Sequence, residues 1–419
     1  MALVFVSEGA EGATVIDEHI TEDTTWTSSG NPYYVTIDLV VINDVTLTVD
    51  EGVNVLINEG KYIKIKGSIN VTGTQNSVVN FTSNNTADGD DWDGFIFDLE
   101  EEDFAHFNWM YLSSALTSFD ISSGSSDDGY DGQITIKNST FRGGVDDDLE
   151  YYGLDGYTSS DTHVYDSKFY DFYMAINRAD YMIYNSSFFN NTYGIGGFGS
   201  GGSGIERTSI YYSNFVNNDY AVNGRYIDVF YGNKITDSLV GVTETGGGNF
   251  QRAACNSIEN NTLGLKLNTA GDPYGWHYNN FLSNDYNVNH SNDDDYSIAN
   301  NYWGNLTESE IADTIYDFYD NSDRGILTFT PILTEKVTSC EDSNGDYIPD
   351  IFQTLPEWTF DDLTNGNVNA IDISQDGEYI VLGSDDKVYL FDKDSSTPLW
   401  SYETSSDVRS LAISADGKY

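Results

Sequence analysis

Apolar positions in the middle of the chain follow no helical period and recur instead inside a short motif. Lys137-Asn-Ser-Thr-Phe141, Tyr165-Asp-Ser-Lys-Phe169, Tyr184-Asn-Ser-Ser-Phe188, Tyr211-Tyr-Ser-Asn-Phe215, Tyr231-Gly-Asn-Lys-Ile235, Ala254-Cys-Asn-Ser-Ile258 and His277-Tyr-Asn-Asn-Phe281 each end on a large apolar residue. That residue steps by 28, 19, 27, 20, 23 and 23 positions. Downstream come a polar turn, a small residue and an aliphatic one, as in Asn190-Asn191 before Gly194-Ile195, Asn217-Asn218 before Ala221-Val222 and Asn260-Asn261 before Gly264-Leu265. Each unit reads as short strand, turn, short strand. A unit of about 22 residues made this way cannot bury its own apolar side, so copies have to stack. The uneven step puts extra residues into one or two loops per unit, while the fixed spacing inside the motif keeps strands in register.

The pattern predicts an all-β chain wound as a parallel β-helix, with no helical period that would suit a leucine-rich horseshoe or an α-solenoid. From Tyr34 to Trp303 it allows roughly 12 coils, a rod of about 58 Å at about 4.8 Å per strand. Phe169, Phe188, Phe215 and Phe281 are expected in one common column. The Asn residues at 185, 214, 233, 256 and 279 are expected to hydrogen-bond between coils and tolerate left-handed turns, a structural role. Predicted boundaries are 1–30 for an N-terminal cap or leader remnant, 31–306 for the β-helix and 307–338 for a C-terminal cap. At the end of the β-helix Tyr302-Trp303 is expected to plug the last coil, and within the cap Ile311 to Tyr319 has weak helical spacing. Both ends need covers, because an open sheet edge and a bare core invite aggregation.

Three stretches carry a family resemblance. Thr25-Trp26 through Pro32-Tyr-Tyr-Val35, followed by Val45-Thr-Leu-Thr-Val49 and Gly52-Val53, resembles the opening strands of secreted right-handed parallel β-helix proteins of the pectate-lyase-like type, including their carbohydrate-binding and sugar-hydrolase repeat group. Phe81-Thr-Ser83 with Gly89-Asp-Asp-Trp-Asp-Gly-Phe-Ile-Phe97 resembles a first-coil signature of these proteins, and Asn300-Asn-Tyr-Trp-Gly304 a closing one. The likeness covers residues 20 to 305. It implies a right-handed, single-stranded solenoid, and it speaks for fold more than for activity.

Two further segments follow. In Cys340-Glu-Asp-Ser-Asn-Gly-Asp-Tyr-Ile-Pro-Asp350, side-chain oxygens at Asp342, Asn344 and Asp346, the Ile348 carbonyl and Asp350 match the first nine positions of a calcium loop, with Gly345 at the turn. The segment resembles calcium-binding repeats of the thrombospondin type 3 and dockerin kinds. It departs from them in having Tyr347 for the usual Gly and Gln353 in place of a bidentate acid, and a solvated acidic linker over 339–356 is the alternative. From 357 to 419 a period of 40 appears: Val368-Asn-Ala-Ile-Asp-Ile-Ser-Gln-Asp-Gly-Glu-Tyr379 recurs as Val408-Arg-Ser-Leu-Ala-Ile-Ser-Ala-Asp-Gly-Lys-Tyr419. Four strands per period, with Asp-Gly turns, read as one propeller blade and the beginning of a second. Lys387-Val-Tyr-Leu-Phe-Asp392 and Leu399-Trp-Ser-Tyr-Glu-Thr404 resemble blades of WD40-like and quinoprotein-like propellers. One blade cannot close a propeller, so a fragment of a larger protein is expected.

Composition narrows the partners. Among 419 residues, 68 Asp and Glu against 18 Lys and Arg give a formal charge of −50, while 39 % hydrophobic and 14 % aromatic content exclude a disordered acidic tail. Such a charge repels nucleic acid, anionic lipid and polyuronates. No apolar run is long enough to span a membrane. The start, Met1-Ala-Leu-Val-Phe-Val, resembles the remnant of a signal peptide's apolar core. Cys255 and Cys340 are equally compatible with one bridge or two free thiols. Asn-x-Ser/Thr sequons at Asn70, Asn80, Asn84, Asn138, Asn185, Asn190, Asn260, Asn289 and Asn305 suit an exported protein, although an Asn-, Ser- and Thr-rich chain produces them by chance.

Catalytic signatures are not legible. The ordered polygalacturonase-like pattern is absent, pairs such as Asp127-Asp128, Asp146-Asp147 and Asp293-Asp294 follow from composition, and the five His residues have no metal-ligand spacing. Scattered Arg178, Arg207, Arg225 and Arg252 do not suit an anionic polymer. A neutral glycan remains open, with Tyr211, Tyr212, Tyr274, Trp276 and Tyr278 as flat apolar faces for sugar rings. The expectation is an extracellular or cell-surface structural or adhesive protein, calcium-stabilised, presenting a glycan- or protein-binding surface. The alternative is a polysaccharide hydrolase or lyase with its cleft on a lateral face.

Overall fold

The computed structural model describes residues 12–85, 91–100, 102–121, 132–144, 149–156, 161–177, 181–196, 208–224, 227–245, 252–268, 275–343, 345, 348–350, 360, 367–375, 377–393, 395–404, 406–415 and 417. They fall into two compact units divided between Pro349 and Asp350.

The first unit is a parallel β-solenoid. Three sheets of 12, 12 and 10 strands run its length, and successive coils contribute neighbouring strands to each sheet. The first sheet runs from Thr14–Ile16 to Asn280–Leu282, the second from Leu39–Val41 to Ile315–Tyr316 and the third from Thr24–Trp26 to Arg252–Ala254. Twelve stacked strands make about 11 turns. The solenoid pattern is already present at Thr14, within the segment expected to be a cap, and residues 1–11 lie outside the described residues.

The motif residues stack as expected. Phe141, Phe169, Phe188, Phe215, Ile235, Ile258 and Phe281 are direct register partners in the first sheet. All are buried in one continuous core. The rings of Phe141, Phe169, Phe188 and Phe215 lie 4.9, 5.1 and 4.7 Å apart and within 7° of parallel. A ring stack at the strand spacing lets neighbouring coils bury like side chains in register, and Ile235 and Ile258 keep the position apolar where the rings give way. Trp303 continues the column, stacked 4.7 Å from Phe281.

Two corners of each coil turn sharply. Between the third and first sheets Asn138, Asp166, Asn185, Tyr212, Gly232, Cys255, Tyr278 and Asn300 all have φ between 48° and 70°. After the first sheet Asp171, Asn190, Asn217, Asp237, Asn260 and Ser283 do the same, with φ between 55° and 61°. Asn and Asp dominate because they enter this region at least cost among residues with a side chain. The residue after each turn is buried, and its polar atoms are satisfied from the next coil. At the first corner Ser139, Ser167, Ser186, Ser213, Asn233, Asn256, Asn279 and Asn301 form a ladder in which each backbone N–H donates to the next side-chain oxygen, at 2.8 to 3.2 Å. A second ladder links Asn191, Asn218, Ser238, Asn261 and Asn284. The expected Asn row is thereby corrected: Asn233, Asn256 and Asn279 are rungs, Asn185 occupies the turn and Asn214 the strand, and serines supply the earlier rungs.

At the C-terminal end a helix forms at Glu308–Ala312, earlier and shorter than the spacing from Ile311 to Tyr319 suggests, under a capping box between Thr307 and Glu310. It buries Ile311 against the last coil. The second unit contains a four-stranded antiparallel sheet in the order Val368–Ile373, Tyr379–Ser384, Lys387–Asp392, Trp400–Glu403. Phe360 packs edge-on against Tyr389 and Phe391 on one face, while Ile371, Ile373, Trp400 and Tyr402 are exposed. The same tight turn occurs 40 residues apart, Gly377 N–H donating to the Ser374 carbonyl and Gly417 N–H to that of Ser414, each at 2.9 Å.

Candidate functional site

The third sheet ends each coil on an outward-facing position, filled in successive coils by Lys137, Tyr165, Tyr184, Tyr211, Tyr231 and Ala254. These are the first residues of the repeated motif, four positions before the buried column, so the strand pleat and the following turn put them outside. Ring centroids are 6.5 Å apart for Tyr165 and Tyr184 and 6.3 Å for Tyr184 and Tyr211. Tyr212, on the adjoining turn, lies 5.4 Å from Tyr184 and 6.1 Å from Tyr231. Tyr184 is 42 % exposed, Tyr212 37 % and Met182, beside them, 41 %. The Lys137 ammonium sits 5.2 Å from the Tyr165 ring at one end of the stripe.

A second outer tyrosine row, Tyr152, Tyr173, Tyr193 and Tyr220, mixes edge-on and stacked pairs, with Tyr173 meeting Tyr152 at 73° and Tyr193 at 76°. There Tyr193 and Tyr220 stack 5.0 Å apart at 13°, so they hide each other's faces and turn their edges outward. In the stripe neighbouring rings are tilted against one another by 37° to 89°, and Tyr184 and Tyr212 are the exposed ones. The Tyr212 hydroxyl is pushed above its ordinary pKa of 10.0, first by burial and then by Tyr184 and the charge of Asp342, so it stays a neutral donor.

The residues singled out from sequence do not form one surface. Tyr211 and Tyr212 belong to the stripe. Trp276 does not: it is wholly buried in the core, its Nε1 donating to Glu244 at 3.3 Å, and no ligand reaches its ring. Its bridge to Ala253 places it in the inward column with Ile210 and Phe230, a consequence of strand alternation. Tyr278 is half-buried in the same corner column as Tyr212, with Gly232 and Cys255 between them. Tyr274 lies outside the described residues. Tyr165 and Tyr184, at the first position of the motif, stand in register with Tyr211 and join the stripe, a place that the repeat itself signals.

Of the calcium-loop residues, Asp342 and Ile348 are described at the end of the solenoid unit, Asp350 begins the second unit, and Asn344 and Asp346 lie outside the described residues. Gly345 adopts φ 73° and its N–H donates to Asp342 Oδ1 at 2.8 Å, a turn compatible with the loop pattern. Among the described residues no group of three or more His, Cys, Asp or Glu is placed to hold a metal. Cys255 and Cys340, left open by the sequence, are disulfide-bonded. Asp127-Asp128 and Asp146-Asp147 lie outside the described residues. Asp293 lines a cavity of about 570 Å³ with Asp295, Phe318, Asp323 and Arg324, whose guanidinium donates to Asn289 Oδ1 at 2.7 Å and covers the Tyr316 ring.

No protein-family model matches the chain, and no curated protein matches it. No helix among the described residues is long and apolar enough to cross a membrane.

Proposed function

We propose that this is an extracellular or cell-surface structural and adhesive protein whose stiff acidic solenoid presents the tyrosine stripe to a neutral glycan. The exposed Tyr184 and Tyr212, flanked by the partly exposed Tyr165 and Tyr211, carry this reading, because apolar rings with phenol donors suit the two sides of a sugar ring. The net charge of −50 selects against polyanions. The Cys255–Cys340 disulfide favours an oxidising compartment, and the exposed sequon residues Asn185, Asn190 and Asn260 suit export. The solenoid is read as right-handed on crossover chirality. Titration calorimetry of the full chain against a panel of neutral oligosaccharides tests the proposal. A ligand whose affinity falls at least about tenfold in both Tyr184→Ala and Tyr212→Ala supports it. Absence of any neutral ligand, or affinity indifferent to both substitutions, overturns it.

Calcium is proposed for Asp342, Asn344, Asp346, the Ile348 carbonyl and Asp350. Binding to the folded loop would protect it by mass action, so chelator should speed proteolysis there, and equal cleavage with and without chelator removes the claim. The second unit is read as a propeller blade, supported by the four-stranded meander and by apolar residues on both faces. The alternative of a polysaccharide-cleaving enzyme has less behind it. Asp98, Glu259, Glu310 and Asp385 all have lowered pKa values, the wrong direction for a general acid.

A further inference from the structure

Residues 331–342 run along the outside of the solenoid against its direction of growth, touch four successive coils and bring a charge near a fifth. The Asn300 N–H donates to the Pro331 carbonyl and the Leu333 N–H to that of Asn301, at 2.6 and 2.9 Å. One coil back, Asn280 and Val337 exchange two hydrogen bonds of 3.0 and 2.9 Å, with both residues buried. One coil further, Lys336 pairs with Glu259 at 3.2 Å and Cys340 is bonded to Cys255. In the next coil the Tyr231 hydroxyl donates to the Cys340 carbonyl at 3.2 Å, and in the fifth the Asp342 charge reaches Tyr212.

The hold is uneven along this strap. As far as Val337 it includes backbone hydrogen bonds at Pro331 and Leu333 and the buried, reciprocal pair between Asn280 and Val337. Beyond Val337 the bonds to the solenoid among the described residues include the disulfide, weak sulfur contacts around it and the hydrogen bond from Tyr231. Tyr231 is the next ring of the tyrosine stripe, in register with Tyr211, yet it is only 3 % exposed. The strap ends the open stripe where the disulfide fastens it.

We propose that residues 338–342 are a redox-released cover, and that opening the Cys255–Cys340 bond extends the open stripe from Tyr212 to Tyr231. The reductant is an external dithiol. One of its thiolates attacks the Cys340 sulfur, the less buried of the pair, and Cys255 leaves as a thiolate that takes up a proton. The second thiol then attacks the mixed disulfide and frees Cys340, so that the dithiol is oxidised to a disulfide by two electrons and the protein carries two thiols. Upstream of Val337 the strap keeps its hydrogen bonds to Asn280 and stays docked. The functional consequence rests on the stripe being a ligand surface; the release itself does not.

The test uses the full chain with and without dithiothreitol under native conditions, following tyrosine nitration by mass spectrometry and amide exchange in parallel. Oxidised protein should modify Tyr231 at least about tenfold more slowly than Tyr212, and reduced protein should bring the two rates within about threefold. Amide protection in Ser187–Phe189 and Asn214–Val216 should not change. Tyr231 remaining protected after complete reduction overturns the proposal. So does loss of protection in those strands along with the strap, which would make the bond a clamp of the whole solenoid. Cys340→Ser, purified without reductant, should match the reduced protein, and reduced wild type decides the matter if that variant fails to fold. A stripe that binds no glycan in either state would defeat the functional reading while leaving the Tyr231 rates as described.

Discussion

The Tyr212 ring lies across Gly232, the equivalent turn residue one coil on, so closely that a β-carbon there would come within 2.5 Å of the ring's Cδ1. Gly232 also holds φ 70°. Asn, Asp, Tyr and Cys occupy the same dihedral region at the equivalent turn, so φ alone does not demand glycine; the ring does. Gly232→Ala should therefore destabilise by roughly 1–3 kcal/mol in denaturant titration and raise the exposure of Tyr212. Tyr212→Ala in the same chain should recover part of that loss, as a positive coupling in a double-mutant cycle. Additive effects of the two substitutions would show that the contact does not decide the residue.

How much was legible in the sequence follows from what repeats. The column from Phe141 to Phe281 was readable because each coil buries one residue at a fixed place in the motif, and the register pairs these residues directly. The open stripe was half readable: Tyr165 and Tyr184 stand at the first motif position, but choosing outward aromatics requires the strand alternation that turns Trp276 inward. The strap was not readable. Val337, Lys336 and Cys340 belong to no repeat, and their partners Asn280, Glu259 and Cys255 lie 57 to 85 residues away, a pairing set by tertiary docking alone.

Phe188→Ala removes one ring from a stack whose neighbours, Phe169 and Phe215, lie 5.1 and 4.7 Å away on either side. Fixed strand spacing prevents the two remaining rings from closing the gap, so the cost should reach the upper part of the roughly 3–5 kcal/mol range for such truncations. Because coils in a solenoid contact only their neighbours, protection by amide exchange should fall most in the adjacent strands Lys168–Tyr170 and Asn214–Val216. Uniform loss over all three sheets would contradict that local coupling.

The ladder predicts an order among substitutions at Asn256. Its Oδ1 accepts from the Asn233 backbone N–H and Nδ2 at 2.9 and 3.1 Å, and its Nδ2 donates to the Phe230 carbonyl at 2.7 Å. Alanine takes a partner from each of these three buried groups and from Asn279 Oδ1, to which Asn256 Nδ2 also donates at 2.9 Å, at about 1–3 kcal/mol for each group that finds no water. Serine restores an acceptor for the Asn233 N–H, as Ser213 does for Ser186 at 3.1 Å, and its hydroxyl can donate to the carbonyl two residues before it, as that of Ser213 does. Thermal unfolding should rank wild type above Asn256→Ser and Asn256→Ser above Asn256→Ala. Equal midpoints for the two variants would mean that the corner is not held by the ladder.

Acid should weaken the solenoid in two successive ranges. His290 is buried with Nε2 donating to the Asp294 carbonyl at 2.8 Å, and burial, the largest influence, holds its pKa below the ordinary 6.5 against the opposing pull of that hydrogen bond and of Asp317. The unfolded chain therefore takes up this proton first, so stability present above pH 6.5 declines as pH falls from there toward the lowered folded value. Glu259 acts lower down. Burial alone would raise its pKa, but hydrogen bonds from Ser257 and Lys336 and the charges of Lys336 and Lys234 outweigh that and hold it below the ordinary 4.5, so its contribution is full above 4.5 and lost on titrating down through the folded value. His290→Gln, which keeps a donor for the Asp294 carbonyl and does not titrate, should flatten the denaturation midpoint below pH 6.5 and leave the lower range unchanged. Lys336→Ala should do the reverse, since it removes a partner of Glu259 and none of His290. Identical pH profiles for both variants and the wild type would show that neither group governs acid stability.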